Sequence, residues 1–359
     1  MSKRIGSTFK TFLLMSILIF LSGCWDTKDI NHRIMPVAVG ISAEDDEYKI
    51  YLQIAKVNNG KIDTEVVIGQ GRTVNQIVNN ISADMEASVD LLHVKVIVVD
   101  NKIAERGLND LVSGFMRSRD VSSKALMTIV EGDIDHFFQT MKQDPGKTET
   151  IPIDHFEKNS GWDPQIALTR VWQVYKSIHS NTQDTVIPMI ALGETTLIKQ
   201  IGSAVLKDGK VVETIDSNET LLFNALKEES AQGKIEVLDD ASVVILGNTV
   251  DYQSKLIDSR PELIINLKFK VMVLETRGTT SEKLIKQQLR ELLKVRFDSM
   301  FSELQEQQAD IIGTGKFFRN KINSSDLSKW RSEYYPNLSY QFNVSVDIQN
   351  EGNLKEPSN

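Results

Sequence analysis

The chain has one cysteine in 359 residues, Cys24, so no internal disulfide can hold it together and apolar burial must do that work. Cys24 follows Leu21, Ser22 and Gly23 at the end of an apolar run, Phe12 to Leu21, interrupted only by Ser16. Lys3, Arg4 and Lys10 supply a basic flank. A membrane-spanning helix needs about 20 apolar residues, so this shorter run reads as the hydrophobic region of an export signal.

Leu-Ser-Gly-Cys resembles a bacterial lipobox. That resemblance implies cleavage between Gly23 and Cys24, a signal peptide over residues 1–23, and a mature chain beginning at Cys24. It also implies that the Cys24 thiol carries diacylglycerol through a thioether and that its amine is acylated. Two or more acyl chains give stable membrane attachment where one gives only marginal binding. Removing residues 1–23 leaves 38 basic against 49 acidic residues, a net charge of −11. An acidic body of that kind disfavours nucleic acid and direct adhesion to anionic headgroups.

Periodicity sets the organisation of the remaining residues. Met35 to Ile41 and Tyr48 to Val57 alternate as two strands around an acidic turn at Glu44 to Glu47, which predicts a hairpin. Val66 to Ile68 reads as a short strand. Gly69-Gln70-Gly71 then leads to an N-cap at Thr73 and a helix with Ile77, Ile81, Met85 and Val89 on one face. Val94 to Val99 predicts a strand, Ala104 to Met116 a helix, and Lys124 to Val130 another strand. Gln143 to Pro164 is turn-rich. Pro164 suits the first turn of a helix reaching His179, and Pro188 to Gly193 is expected to close the first domain.

Asp208-Gly209 between Ile201–Leu206 and Val211–Ile215 predicts a second hairpin, followed by a helix from Asn218 to Glu229. Ala241 to Leu256 and Leu263 to Glu275 are long β runs expected to pair antiparallel across Ser259-Arg260-Pro261. Thr280 or Ser281 caps the longest helix, with Leu284, Ile285, Leu289, Leu292, Leu293, Phe297, Met300, Phe301 and Leu304 at spacings of three and four. Tyr340, Phe342, Val344, Val346 and Ile348 share one face of a last strand. The expected fold class is α+β, with mixed or antiparallel sheets packed against helices. The expected domains are residues 24–194, a middle domain over 195–260 and a C-terminal domain of one long helix with antiparallel strands over 261–350, with 351–359 as a polar tail.

Catalytic signatures are missing. HExxH, CxxC, Walker and GxSxG patterns do not occur, and His32, His93, His136, His155 and His179 lack metal-ligand spacing. Gly69-Gln70-Gly71 lacks the third glycine of a dinucleotide fingerprint, because Val74 stands in its place. It is read as a plain strand-to-helix turn. The carboxylates from Asp144 to Asp154 have the composition of a solvated loop, and Arg117, Arg119 and Asp120 read as the end of a helix.

Four segments in order resemble the Ger(x)C family, the lipoprotein C subunits of spore germinant receptors. They are Gly23-Cys24-Trp25-Asp26 with Asp29-Ile30-Asn31 and Gly40-Ile41; His93-Val94-Lys95 with Ala104-Glu105-Arg106-Gly107 and Arg117; Gly202 to Leu206 through Asp208-Gly209 to Glu219-Thr220 and Leu221-Leu222; and Ala309-Asp310-Ile311-Ile312-Gly313 with Trp330 and the terminal β run to Gly352. Ser42 stands where family members often carry Asp, and Glu213 where many carry Gly.

The resemblance implies three α+β domains on the outer face of the spore inner membrane and no catalytic role. It implies no cofactor beyond the lipid on Cys24. It also implies assembly with integral-membrane A-type and B-type subunits into a receptor that answers nutrients. The competing class is a solute-binding lipoprotein of an uptake system, whose two doubly wound lobes would differ from the long β runs of the second half.

Overall fold

Residues that alternate in sequence alternate in space, most cleanly along the two long strands Ala241–Ile257 and Arg260–Thr276. The computed structural model describes residues 32–350 except 46, 59–60, 119, 144–155, 157–163, 195–197, 230–231 and 279. Along the chain come β1 (Arg33–Ile34), β2 (Pro36–Glu44), β3 (Glu47–Asn58), β4 (Lys61–Gly71), α1 (Val74–Asp84), β5 (Ser88–Val89), β6 (Val96–Asp100), α2 (Asn101–Arg106), α3 (Asn109–Arg117), β7 (Leu126–Val130), α4 (Ile134–Gln143) and α5 (Val171–Ile178). There follow β8 (Thr185–Leu192), β9 (Ile198–Lys207), β10 (Lys210–Ile215), α6 (Ser217–Leu226), β11 (Ile235–Val237), β12 (Ala241–Ile257), β13 (Arg260–Thr276), α7 (Glu282–Glu306) and β14 (Ser339–Asn350).

Eight strands form one mixed sheet in the order β10-β9-β8-β7-β6-β2-β3-β4. Its centre, β8-β7-β6-β2, is parallel, and an antiparallel pair flanks it on each side. Period two sorts the side chains. Val39, Ile41, Ile97, Val99 and Ile129 face α1, α2, α3 and α5, while Ala38, Tyr51, Val96, Val98 and Val130 face α4. A parallel centre buried on both faces explains its nearly unbroken apolar runs.

β11-β12-β13-β14 form a second sheet. β12 and β13 pair antiparallel through a turn at Asp258 and Ser259, as expected. β14 instead pairs parallel to β13, with Ile265 opposite Phe342, which corrects the expected antiparallel arrangement. Parallel neighbours need a crossover of a dozen or more residues, and α7 supplies it. Ser281 caps α7, and Ile285, Leu289, Leu293, Phe297, Met300, Phe301 and Leu304 are buried along it. Phe297 stacks on Phe342 at 4.0 Å between ring centroids, which locks helix to strand.

The sheets also divide the chain differently from the expected domains. β8 and β9 pair across 194/195, and β12 and β13 pair across 260/261. The 195–260 segment is therefore shared, its first hairpin completing one sheet and β11 and β12 opening the other. One core joins Val186, Val205 and Ile215 of the large sheet to Val243, Ile265 and Phe297 of the second unit. α6 sits in that junction, with Leu221, Leu222, Phe223, Ala225 and Leu226 buried on several sides. A helix that is apolar around its circumference needs a protein surface on every side.

Three local expectations change. The strand predicted at Val66 to Ile68 is the whole of β4, so Gly69 and Gly71 lie within it rather than in a turn. A Cβ at Gly69 would meet Ile77 at 2.7 Å, so the glycine lets α1 lie close on the strand. The helix expected from Ala104 to Met116 breaks at Gly107, and Leu108 N–H donates to Gly209 O at 2.8 Å. The helix expected from Pro164 starts only at Val171, because the segment before it joins the sheet: Met127 N–H donates to Thr169 O at 2.8 Å, Arg170 bridges to Leu126, and the Thr169 side-chain hydroxyl donates to Val186 O at 2.6 Å.

Candidate functional site

Asp310 is a lone acid between Ala309 and Ile311-Ile312, and it is fully buried. Gly313, in the left-handed region at φ 75°, folds the chain back over the carboxylate, a conformation that favours glycine. Asp310 Oδ1 accepts from Gly313 N–H and Thr314 N–H, both at 2.8 Å. Oδ2 accepts from the Thr314 hydroxyl at 2.9 Å, Gly315 N–H at 3.0 Å and Trp330 Nε1 at 2.9 Å. Burial pushes the Asp310 carboxyl up, and the backbone and side-chain donors pull the other way. All five partners donate, so the arrangement matches an ionised, acceptor-only carboxylate.

A second acid ties this loop to the large sheet. Asp184, just before β8, donates its N–H to Asp310 O at 2.8 Å and accepts from Asp310 N–H at 2.9 Å through Oδ2. Arg331 forks onto the same carboxylate, with Nη2 at 2.6 Å from Oδ1 and Nε at 3.0 Å from Oδ2. Its Nη1 reaches Asp208 Oδ1 at 2.6 Å in the β9–β10 turn. Burial pushes Asp184 up to about 7 against the pull of the Arg331 guanidinium. A planar guanidinium satisfies two carboxylates at once, which an ammonium cannot do with the same geometry.

This arrangement positions; it does not react. The lone pairs of Asp310 are engaged by five donors, and Asp184 is held by Arg331 and a backbone amide. Trp330, also fully buried, stacks on Phe318 at 5.0 Å and so fixes its Nε1 toward Asp310. The result is a rigid polar seam between the two sheets.

Asp208-Gly209 and Ala309–Gly313 with Trp330, far apart in sequence, meet at this seam. Asp184 and Arg331 are not legible as site residues from sequence; the available signals are an acid directly before an apolar strand and an arginine directly after Trp330. Cys24, its cleavage site, His155, Arg119 and the carboxylates of 144–154 lie outside the described residues. Arg117 ends α3, as read, and Asp120 accepts from the Ser118 hydroxyl at 3.1 Å. Among the described residues no group of three or more His, Cys, Asp or Glu is placed to hold a metal, and no helix is long and apolar enough to cross a membrane.

Residues 26–192 match the family model for the spore germination protein N-terminal domain, and residues 201–352 match that for the spore germination B3/GerAC-like C-terminal domain. The gap between the matches spans the expected 194/195 boundary and lies largely in the β8–β9 connection, so the family division is one of sequence while the hydrogen-bonded sheet is continuous. Spore germination protein GerQC of Bacillus cereus is 20% identical over 95% of this chain and 98% of its own length. The spore germination protein YfkR of Bacillus subtilis, itself a putative assignment, is 19% identical over 96% of this chain and 97% of its own. The crystal structure of the GerBC protein superposes with a TM-score of 0.56 at 16% identity, covering 87% of this chain and 97% of that one.

Proposed function

The chain belongs to the spore germination GerAC family, and from that premise we propose that it is a non-catalytic, lipid-anchored subunit of a spore nutrient germinant receptor, required for receptor assembly or signalling. The observation that carries this reading is the match of both family segments in order across nearly the whole chain. Relatives named as spore germination proteins B3, KC and A3 of Bacillus subtilis favour the same role.

The anchor is Cys24. Lipid on that residue holds the acidic body at the outer face of the spore inner membrane, beside integral-membrane A-type and B-type subunits. The seam of Asp184, Arg331, Asp208 and Asp310 makes the two sheets one rigid body, which suits a scaffold that passes on or stabilises a partner's state. A solute-binding lipoprotein would be built of two doubly wound lobes, and a single mixed sheet joined to a β-α-β unit fits that class poorly.

Two experiments test the reading. Cys24→Ala is expected to move the protein out of the detergent phase on phase partitioning; unchanged partitioning would refute the anchor. Spores lacking the chain are expected to fail in receptor assembly or nutrient response, and a receptor that assembles and answers nutrient normally without it would refute the role.

A further inference from the structure

The two larger sheets end in the strands β10, β4, β11 and β14, and three of these edges are guarded. β4 carries Lys61, Asp63 and Glu65 at alternate positions, β10 is interrupted by a bulge between Val211 and Glu213, and β11 is only three residues long. Charge, bulges and shortness all keep a free edge from pairing with another chain.

β14 has none of these guards. It runs for 12 residues with no lysine, arginine, proline or glycine, and Asp347 is its one charge. It pairs with β13 without a register shift from Ser339 to Ile348. Among the described residues, no backbone–backbone hydrogen bond outside the sheet ladder uses Ser339 to Asn350. The N–H and C=O groups of alternate residues in β14 therefore point away from β13 with no strand to receive them.

The pattern of β14 is complementary to itself. Tyr340, Phe342, Val344, Val346 and Ile348 turn toward α7, yet Tyr340, Val344 and Ile348 are only partly buried there. Gln341, Asn343, Ser345 and Asp347 lie on the open face, where Asn343 Nδ2 donates to Asn266 Oδ1 at 2.9 Å. Antiparallel pairing with a second copy about a two-fold axis at Val344 sets Phe342 opposite Val346 and Tyr340 opposite Ile348. On the open face it sets Asn343 opposite Ser345 and Gln341 opposite Asp347. A slip of one residue would turn the apolar set of one copy to the open face.

Charge along α7 agrees. Asp298 accepts from the Tyr340 hydroxyl at 3.0 Å, which marks the flank of the helix that runs beside β14. Arg290, two turns earlier on that flank, is exposed and makes no ion pair within 4.0 Å among the described residues. Two helical turns cover about 12 Å, the length of about four strand residues, so Arg290 lies alongside Val346 when Phe297 stacks on Phe342. The two-fold axis brings Val346 of one copy against Phe342 of the other, and so turns Arg290 toward the second copy's Asp298. Lys294, between them, lies near the axis, where solvent screens it from its own copy.

We propose that β14 is a dimerisation edge, at which two copies of the chain pair their Tyr340–Ile348 segments antiparallel and join their four-stranded sheets into one continuous sheet. The inference rests on β14 alone, so its failure leaves the receptor-subunit reading untouched. One strand pair buries less than a standard interface, so self-association is expected at about 1–100 µM.

The test is sedimentation velocity of the full chain over that concentration range, in mild detergent with micelles in excess of chains. A concentration-dependent dimer is expected. Gln341→Glu sets a carboxylate against the second copy's Asp347 at both ends of the pair and is expected to weaken the dimer about two- to thirtyfold, while Gln341→Lys strengthens it. Gln253→Glu makes the same charge change two strands away and is expected to leave the dimer unchanged. All three substitutions are at exposed positions, and circular dichroism with the unfolding midpoint checks that each variant is folded. A monomer at every concentration, or a dimer that responds alike to Gln341→Glu and Gln341→Lys, would overturn the proposal.

Discussion

Replacing Asp310 by Asn keeps the shape of the side chain and removes its charge, so the consequence can be worked bond by bond. The amide oxygen, placed at Oδ1, still accepts from Gly313 and Thr314 N–H. The amide NH₂ then occupies the Oδ2 position, where the Thr314 hydroxyl, Gly315 N–H and Trp330 Nε1 all donate. The hydroxyl can rotate and accept, but the other two cannot. Two buried donors lose their partner at about 1–3 kcal/mol each, so Asp310→Asn is expected to cost about 2–6 kcal/mol.

That is a large share of a typical stability of about 5–15 kcal/mol. Urea unfolding followed by tryptophan fluorescence and by circular dichroism would read the loss, two probes being needed to test for a single transition. Trp330→Phe combined with Asp310→Asn removes one orphaned donor, so the pair should lose less than the sum of the singles by about 1 kcal/mol or more. A loss below about 1 kcal/mol for Asp310→Asn would refute the five-donor reasoning.

Three further outcomes follow from the structure. Arg331→Met leaves Asp184 buried without its guanidinium and is expected to cost about 3–5 kcal/mol by urea midpoint, with Arg331→Lys losing less because charge remains while the fork does not. Gly40→Ala places a Cβ 2.1 Å from the Phe138 ring, which is stacked on Tyr51 and packed edge-on against Phe137, so overpacking of about 1–3 kcal/mol is expected in the same assay. Lys227, with its folded pKa lowered to about 8 from 10.5, binds fewer protons folded than unfolded across that interval. Stability from this group is therefore expected to rise from pH 8 toward pH 10, and unfolding midpoints measured over that range should rise less in Lys227→Met.

The hairpins are legible in the sequence because alternation and turn chemistry agree locally. Asp208-Gly209 carries φ of 51° and 81°, and the strands on either side pair as the turn dictates. α7 is equally plain, since its apolar stripe is long and its cap is a serine. The direction of β14 is not, because the face shared by Tyr340, Phe342 and Val344 is the same whether the strand runs with or against β13. Local propensity fails where tertiary hydrogen bonds take over, as before Val171, where the backbone of Thr169 and Arg170 pairs with β7 and the Thr169 hydroxyl donates to β8 instead of a helix forming.

Site residues divide in the same way. The resemblance points to the segments holding Asp208, Asp310 and Trp330, but it does not say that they touch. Asp184 and Arg331 become visible only when the two sheets are brought together. α6, predicted from sequence only as a short helix, is apolar around its circumference, and its burial comes from having a unit on either side.

The most direct test of receptor membership is affinity purification of the tagged chain from detergent-solubilised spore inner membranes, with its partners identified by mass spectrometry. Two integral-membrane subunits are expected in fixed ratio with the chain, and their loss from the eluate is expected when Cys24→Ala removes the anchor. Recovery of the chain alone, or with a solute permease and its ATPase, would contradict that membership.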